Sequence, residues 1–261
     1  MEFKEVVGRR RSIRFFDPDK PVEREKIQVI LETALRASCA VNAHWLRAIV
    51  VDRDQIPEEK LNQLKTPVAA LTLDLAPVHI YFFVDLGVVN RIKGSRLKEL
   101  VDAGALAPTH GWSHKFVDDF VYPQILEPMT RNLEGYVPAA FADAGGAAQN
   151  ALLAAFDEGL GACLNTPNPV LTKQVFGVPD DWISMWVMLV GYPAESWEAG
   201  GQRPRPDFEE MYFEGEYGKP FKRDPAVVER LRKEKMITDP APLAGRTEEI
   251  KKLAEEYGLP M

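Results

Sequence analysis

The segment VHIYFFVD, Val78 to Asp85, constrains the fold more than any other stretch of this 261-residue chain. Apolar residues fill it almost without alternation. A strand with one wet face alternates apolar and polar residues, whereas a strand covered on both faces reads as a continuous apolar run. The segment therefore predicts a strand inside the molecule, with other elements packed on both of its faces. DAGGAAQNALLAAFDEG, from Asp143 to Gly159, is a second central element. Small residues at that density let a helix approach a neighbouring backbone closely.

The other elements follow from periodicity and punctuation. Residues 3–9 predict a short helix. From Glu23 to Ala37 the apolar residues Ile27, Ile30, Leu31, Ala34 and Leu35 share one helical face. A small-residue loop, Ser38 to Trp45, leads to a strand over LRAIVV, and Leu61 and Leu64 mark another helical stretch. Helices are expected from Arg91 to Ala103 and from Phe116 to Thr130, with Pro108, His110, Gly111 and His114 in a loop between them. Gly159 to Pro169 reads as a loop or short strand, residues 171–177 as a helix, and SMWVMLVGYP as a strand with a Gly-Tyr-Pro exit. QRPRPDFEEMYF leaves it extended, and two last helices are expected over Pro225–Lys235 and Thr247–Tyr257. The sum is an α+β chain with one core. Residues 1–213 form its main domain. Residues 214–261 are a charged extension with too few apolar side chains for a core of its own, expected to lie on the main domain or on a partner subunit.

Composition narrows the function. The net charge of −7 gives no general reason to expect nucleic acid or an anionic membrane as partner. No apolar run approaches the length of a membrane span, and MEFKEVVGRRRSIRFF lacks the apolar stretch of a secretory signal. Cys39 and Cys163 lie far apart without metal-ligand spacing, and His44, His79, His110 and His114 form no ligand pattern. The expectation is a cytoplasmic enzyme with free thiols and no metal.

Against that acidic background the N-terminal RRRSIRFF stands out. Arg10, Arg11, Ser12 and Arg14 lie within five residues. A phosphate monoester carries nearly two negative charges, and arginine meets it with a fixed fork of donors. A solvated basic turn, or a cluster neutralised by Glu5 and Asp17, has the same appearance. Arg203 and Arg205, in the proline-stiffened QRPRP, form a second basic cluster that an ordinary exit loop would also explain. In Ser38–Trp45, Cys39 and Ala40 permit close approach of a flat ring, and Asn42 offers a donor and acceptors to a pyrimidine edge. Asn42 equally suits a helix C-cap or turn. Thr166, Pro167, Asn168 and Pro169 give a backbone-lined surface that could cover a ring, or simply a helix stop.

In order, spacing and wording these elements resemble the nitroreductase family of FMN enzymes. RRSIRFF matches the family's Arg-Arg-Ser-Ile-Arg-like opening, and ASCAVNAHWLRAIVV its Asn-bearing loop and strand. AQNALLAAFDEGLGAC matches its small-residue helix and Gly-Leu-Gly, and GYPAE with QRPRP its strand end and basic exit. The resemblance covers about residues 3–210. It implies a nitroreductase-like fold, with a mixed or antiparallel central sheet flanked by helices. It also implies an intertwined homodimer with FMN at the subunit interface and the long tail wrapped around the partner. Arg10, Arg11, Ser12 and Arg14 would contact the ribityl phosphate and Arg203 and Arg205 complete that site. Cys39, Ala40 and Asn42 would line the isoalloxazine, with Thr166 to Pro169 over the ring near N5.

The cofactor then carries the chemistry, and no catalytic side chain is expected. NAD(P)H would pass hydride to N5 and an electron-poor acceptor (a nitroaromatic, quinone or activated alkene) would take it in a ping-pong cycle. Alternatives within the fold are a reductive dehalogenase or a flavin-cleaving enzyme; outside catalysis, a flavin-binding protein without turnover. No G-x-G-x-x-G fingerprint is present. The aromatic segment between Leu86 and Tyr136 is a candidate pocket wall or lid, with His110, Trp112, Phe116 and Phe120, and core or dimer-contact residues would have the same appearance. His44 is a candidate donor near the cofactor, or a packed loop residue. The sequence departs from the family where Gln-Pro-Trp becomes His44-Trp45-Leu46, where Cys39 replaces a common serine, and where Val41 replaces a common glycine.

Overall fold

Val78 to Asp85 form the predicted inner strand, and every one of its residues is buried. In the computed structural model, which describes residues 1–259, this strand lies within one sheet surrounded by helices. In chain order the elements are α1 (Phe3–Arg9), α2 (Arg24–Leu35), β1 (Leu46–Asp52), α3 (Glu58–Leu64), α4 (Ala70–Leu75), β2 (Val78–Asp85), α5 (Val88–Ile92) and α6 (Ser95–Asp102). They continue with α7 (His114–Phe116), α8 (Glu127–Arg131), α9 (Leu133–Asp157), β3 (Gly161–Asn165), α10 (Pro169–Phe176), β4 (Trp182–Gly191), α11 (Phe208–Met211), α12 (Pro225–Lys233) and α13 (Arg246–Glu256). The sheet order is β1-β2-β4-β3, and all neighbours are antiparallel.

The two faces of β2 enter two different clusters, so the single core expected from sequence is divided by the sheet. Ile80, Phe82 and Val84 pack with Ile30 and Ala34 of α2 and with the alanine stripe Ala140, Ala144, Ala148, Ala151 and Ala155 of α9. Tyr81 and Phe83 pack with Ile13, Phe16, Leu64 and Leu73. The long α9 thus fills the central place that its small residues predict.

Several local expectations are corrected. The helix expected from Arg91 to Ala103 is two, because Lys93 (φ 45°) and Gly94 (φ 77°) turn left-handed between α5 and α6. The helix expected from Phe116 to Thr130 is wound as a π-helix from Val117 to Leu126, with Pro123 inside it. Proline has no N–H for the ordinary i→i−4 bond, and the wider winding accommodates it. Residues 161–165, open between loop and strand in the sequence, are the edge strand β3. The short α4 carries no strong sequence signal, and α11 interrupts the segment expected to be extended. The last helix of the extension, α13, packs on its own chain, where Leu253 and Ala254 are buried and Tyr257 stacks on Phe15 with ring centroids 6.2 Å apart. Among the described residues, no helix is long and apolar enough to cross a membrane.

Candidate functional site

The arginine loop is held by its own apolar residues. Ile13 and Phe16 are fully buried, while Arg14 points to solvent. Ile13 N donates to Ala162 O at 3.2 Å, and Ser12 bridges to Ala162, so the loop runs along the outer edge of β3. Gly161 makes that approach possible, since a Cβ there would lie 2.9 Å from Ile13. Glu195, just past the Gly-Tyr-Pro turn, accepts from the backbone N–H of Arg14 (2.6 Å) and Phe15 (3.1 Å).

The arginines are not equivalent. Arg11 is buried and its two terminal nitrogens are committed to the fold, donating to Gly8 O (2.6 Å), Arg10 O (3.1 Å), Thr238 Oγ1 (2.7 Å) and Glu198 (3.1 Å), while its Nε, like that of Arg10, has no partner. Arg10 has no carboxylate partner among the described residues, and its buried Nε has no hydrogen-bond partner at all. Burial, and then the neighbouring charges of Arg11 and Arg205, hold the Arg10 guanidinium below its ordinary range. Arg203 acts on Arg11 in the same sense. The two sequence clusters therefore meet. Their meeting is fixed by Gln202, which donates to Met236 O at 3.0 Å and whose N–H bonds Asp239 O at 2.9 Å. Unpaired like charges drawn together in this way leave a place for an anion.

The second element is the turn between α2 and β1. Val41, Asn42 and His44 all have positive φ, at 49°, 51° and 53°. A β-branched residue in that region is strained, and several contacts enforce it. The Cys39 sulfur accepts from His44 N at 3.0 Å, and Ala40 N donates to Asp143 at 2.7 Å. Arg47, paired with buried Asp85 at 2.8 Å, donates to His44 O at 2.5 Å. His44 Nε2 lies 2.8 Å from Asn42 Oδ1. With Oδ1 engaged, the Nδ2 group of Asn42 is the one left to meet a ligand. Burial, and the nearby Asp143, push the Cys39 thiol up, so it stays neutral. Beside the turn is a cleft of about 130 Å³ bounded by Leu31, Leu35, Cys39, His44, Asp143 and Ala147.

In the third element, the side chain of Asn168 caps α10, accepting from Val170 N (3.1 Å) and Leu171 N (3.0 Å), so its oxygen is committed to the fold. Pro167 is buried, while Thr166 and Pro169 are exposed. In the fourth, α6 packs on the Ala40–Asn42 turn. Trp112, Phe116 and Phe120 form a ladder with centroid spacings of 5.6 and 5.3 Å, and Phe120 is 48% exposed. His110 stands in the preceding turn beside Thr109, and His114 pairs with Asp102 at 2.7 Å.

Sequence reasoning missed Glu195, Glu198, Thr238 and the Asp85–Arg47 pair. Asp85 did carry a signal, as the one acid in an otherwise apolar strand. The others come from segments with no periodicity, and nothing local announces them.

The geometry thus defines an α+β protein with an antiparallel four-stranded sheet, a cluster of arginines and a strained turn. The sequence model of the Nitroreductase family matches residues 7–76 and 127–192, more than half of the chain, and the protein belongs to that family. No curated protein matches it. Among solved structures, a nitroreductase family protein of Streptococcus pneumoniae is 21% identical, with a TM-score of 0.64, over 82% of this chain and 100% of that one. A protein of Exiguobacterium sibiricum, solved in complex with FMN, is 22% identical with a TM-score of 0.63, over 81% and 96%. A protein of Staphylococcus epidermidis named as an NAD(P)H:FMN oxidoreductase is 18% identical with a TM-score of 0.65, over 81% and 94%.

Proposed function

We propose that this protein is an FMN-dependent oxidoreductase that passes electrons from NAD(P)H to an electron-poor acceptor such as a nitroaromatic, quinone or activated alkene. The observation that carries the reading is Arg10: a guanidinium with a buried, unpartnered Nε, facing two further arginines and no carboxylate. A buried donor without a partner is costly unless a ligand meets it, and a phosphate monoester supplies both the acceptors and the charge. The FMN held by the Exiguobacterium sibiricum neighbour supports the choice of ligand.

Arg10, Ser12, Arg14, Arg203 and Arg205 would hold the phosphate. Arg11 would support them from behind through Glu198 and Thr238. Asn42, oriented by His44, would offer its amide donors to the pyrimidine edge, with Cys39 and Ala40 beside the ring and Thr166 to Pro169 over it. FMN, when bound, would supply the redox chemistry, taking reducing equivalents from the donor and passing them to the acceptor. The aromatic ladder of Trp112, Phe116 and Phe120 would form an apolar wall for flat acceptors, with His110 at its margin. The 130 Å³ cleft is below the usual 300–1,000 Å³ of a ligand pocket. A second copy of the chain closing the site would complete it, which fits a homodimer.

The experiment is direct. The purified protein should be yellow or take up FMN stoichiometrically, and NADPH or NADH without oxygen should bleach the flavin bands. A colourless protein that refuses FMN would overturn the reading. Stoichiometric flavin that neither donor reduces would leave a binding protein without turnover.

A further inference from the structure

The chain from residue 193 onward lies outside the residues that the family model matches, yet it touches the arginine loop at both ends. We propose that the C-terminal helix α13 positions the phosphate-binding loop, with the Glu195–Arg246 pair as its latch. The proposal rests on the FMN reading above.

At the far end of the loop, one carboxylate and one helix take hold of three successive residues. Glu195, almost wholly buried, accepts the backbone N–H groups of Arg14 and Phe15 on Oε1 and is met on Oε2 by Arg246 at 2.5 Å. Arg246 also donates to Glu249 at 2.8 Å, and Glu249 in turn accepts from Ser196 N at 2.5 Å. Tyr257 stacks on Phe15 and donates its hydroxyl to Phe16 O at 3.2 Å. At the near end, Thr238 accepts from Arg11 at 2.7 Å. There the tail backbone at Lys235 and Met236 lies so close to Gly8 that a Cβ would come within 2.2 Å of Lys235 O. Between the two grips stand the side chains of Arg10, Ser12 and Arg14, of which only Arg14 makes a hydrogen bond within the protein, an exposed one to Ser12 O at 3.2 Å.

The charge of Glu195 sharpens the inference. A buried carboxylate bonded to the backbone of Arg14 repels an anion held by the same loop. Electrostatics alone would disfavour it there, so its contribution to an anion site is geometric. Held groups of this kind keep a ligand-binding constellation within the few tenths of an ångström that bidentate contacts need.

The test is the Glu195→Gln variant, titrated with FMN and with riboflavin, which has the same ring and no phosphate. The amide oxygen of glutamine can still receive Arg14 N and Phe15 N, but its NH2 group faces Arg246 and releases α13. The expected result is a Kd for FMN raised about tenfold, with the Kd for riboflavin unchanged. A pure charge effect has the opposite sign, because loss of a carboxylate should tighten FMN. Tyr257→Phe, which changes no charge, should shift FMN the same way by about two- to threefold, and it carries the test if Glu195→Gln does not fold. Equal shifts for both flavins, an unchanged Kd for FMN or a tighter one would overturn the proposal. Binding of neither flavin by the unaltered protein would instead overturn the FMN reading, and this proposal with it.

Discussion

Arg10 and Arg11 are adjacent in sequence and opposite in energetic role, and single alanine substitutions separate them. Arg11 donates to two backbone carbonyls, the Thr238 hydroxyl and Glu198, and its side chain is only 4% exposed. Hydrogen bonds from a charged group contribute about 1.5–3 kcal/mol each, and the burial that holds the Arg11 guanidinium below its ordinary range offsets part of their sum. The Glu198 pair counts for less, because that carboxylate is one-third exposed and screened. Arg11→Ala should therefore destabilise the flavin-free protein by about 3–5 kcal/mol and lower its melting midpoint by roughly 10 °C. Arg10 has no such partners, and burial beside Arg11 and Arg205 opposes its charge. Its removal should leave flavin-free stability unchanged to within about 1 kcal/mol, or raise it. For FMN the ranking reverses: loss of the Arg10 contacts at about 1.5–3 kcal/mol should weaken binding roughly 10- to 150-fold. Thermal melts of stripped protein and FMN fluorescence titrations measure the two quantities separately. An Arg10→Ala protein that melts as early as Arg11→Ala and still binds FMN normally would refute this division of roles.

Three further outcomes follow from the same geometry. His79 is wholly buried, with Nε2 on Leu73 O and Ala76 O, and desolvation lowers its pKa from 6.5 to about 4. The unfolded chain then binds the extra proton first, so stability is intact above pH 6.5 and falls as pH drops towards 4, by about 3 kcal/mol in all; in urea titrations His79→Gln should flatten that slope, and an unchanged slope would exclude His79 as its source. Val41→Gly should move the unfolding free energy by less than about 1 kcal/mol, since relief of left-handed strain offsets the lost half-buried side chain and the entropy of glycine; a loss above about 2 kcal/mol would show that the turn is unstrained. Phe120→Ala should raise KM for a nitroaromatic acceptor about two- to tenfold with no change in melting midpoint, and an unchanged KM would remove the aromatic ladder from the acceptor site.

The parts of this molecule legible in its sequence are those set by repetition along one element. The unbroken apolar run of β2 and the alanine stripe of α9 each announce burial, because every second or every third to fourth residue says the same thing. The arginine clusters were legible as charge, and their meeting followed from the family's order of motifs rather than from spacing. What could not be read is which donors the fold itself consumes. Arg11 looks like Arg10 until Glu198 and Thr238 arrive from far along the chain, and Asn168 looks like a ligand-facing amide until α10 begins at the next residue. The break at Lys93 and the π-winding around Pro123 are of the same kind: apolar spacing suggests one ordinary helix in each place, and a left-handed turn or a wider winding replaces it.

The two halves of the site reach the same end by different means. The Val41–His44 turn is held in a conformation its residues resist, by Asp85 through Arg47 and by Asp143 through Ala40. The arginine loop has no residue in the left-handed region and is held by its buried Ile13 and Phe16 together with Glu195, Thr238 and α13, with only Arg14 exposed between Arg10 and Phe16. In each case an acid fixes groups that the proposed site would turn toward its ligand. That placement resolves the apparent contradiction of a proposed anion site ringed by glutamates and aspartates: they act on the backbone and on Arg11, Arg47 and Arg246, and they leave Arg10, Arg14, Arg203 and Arg205 without a carboxylate partner among the described residues.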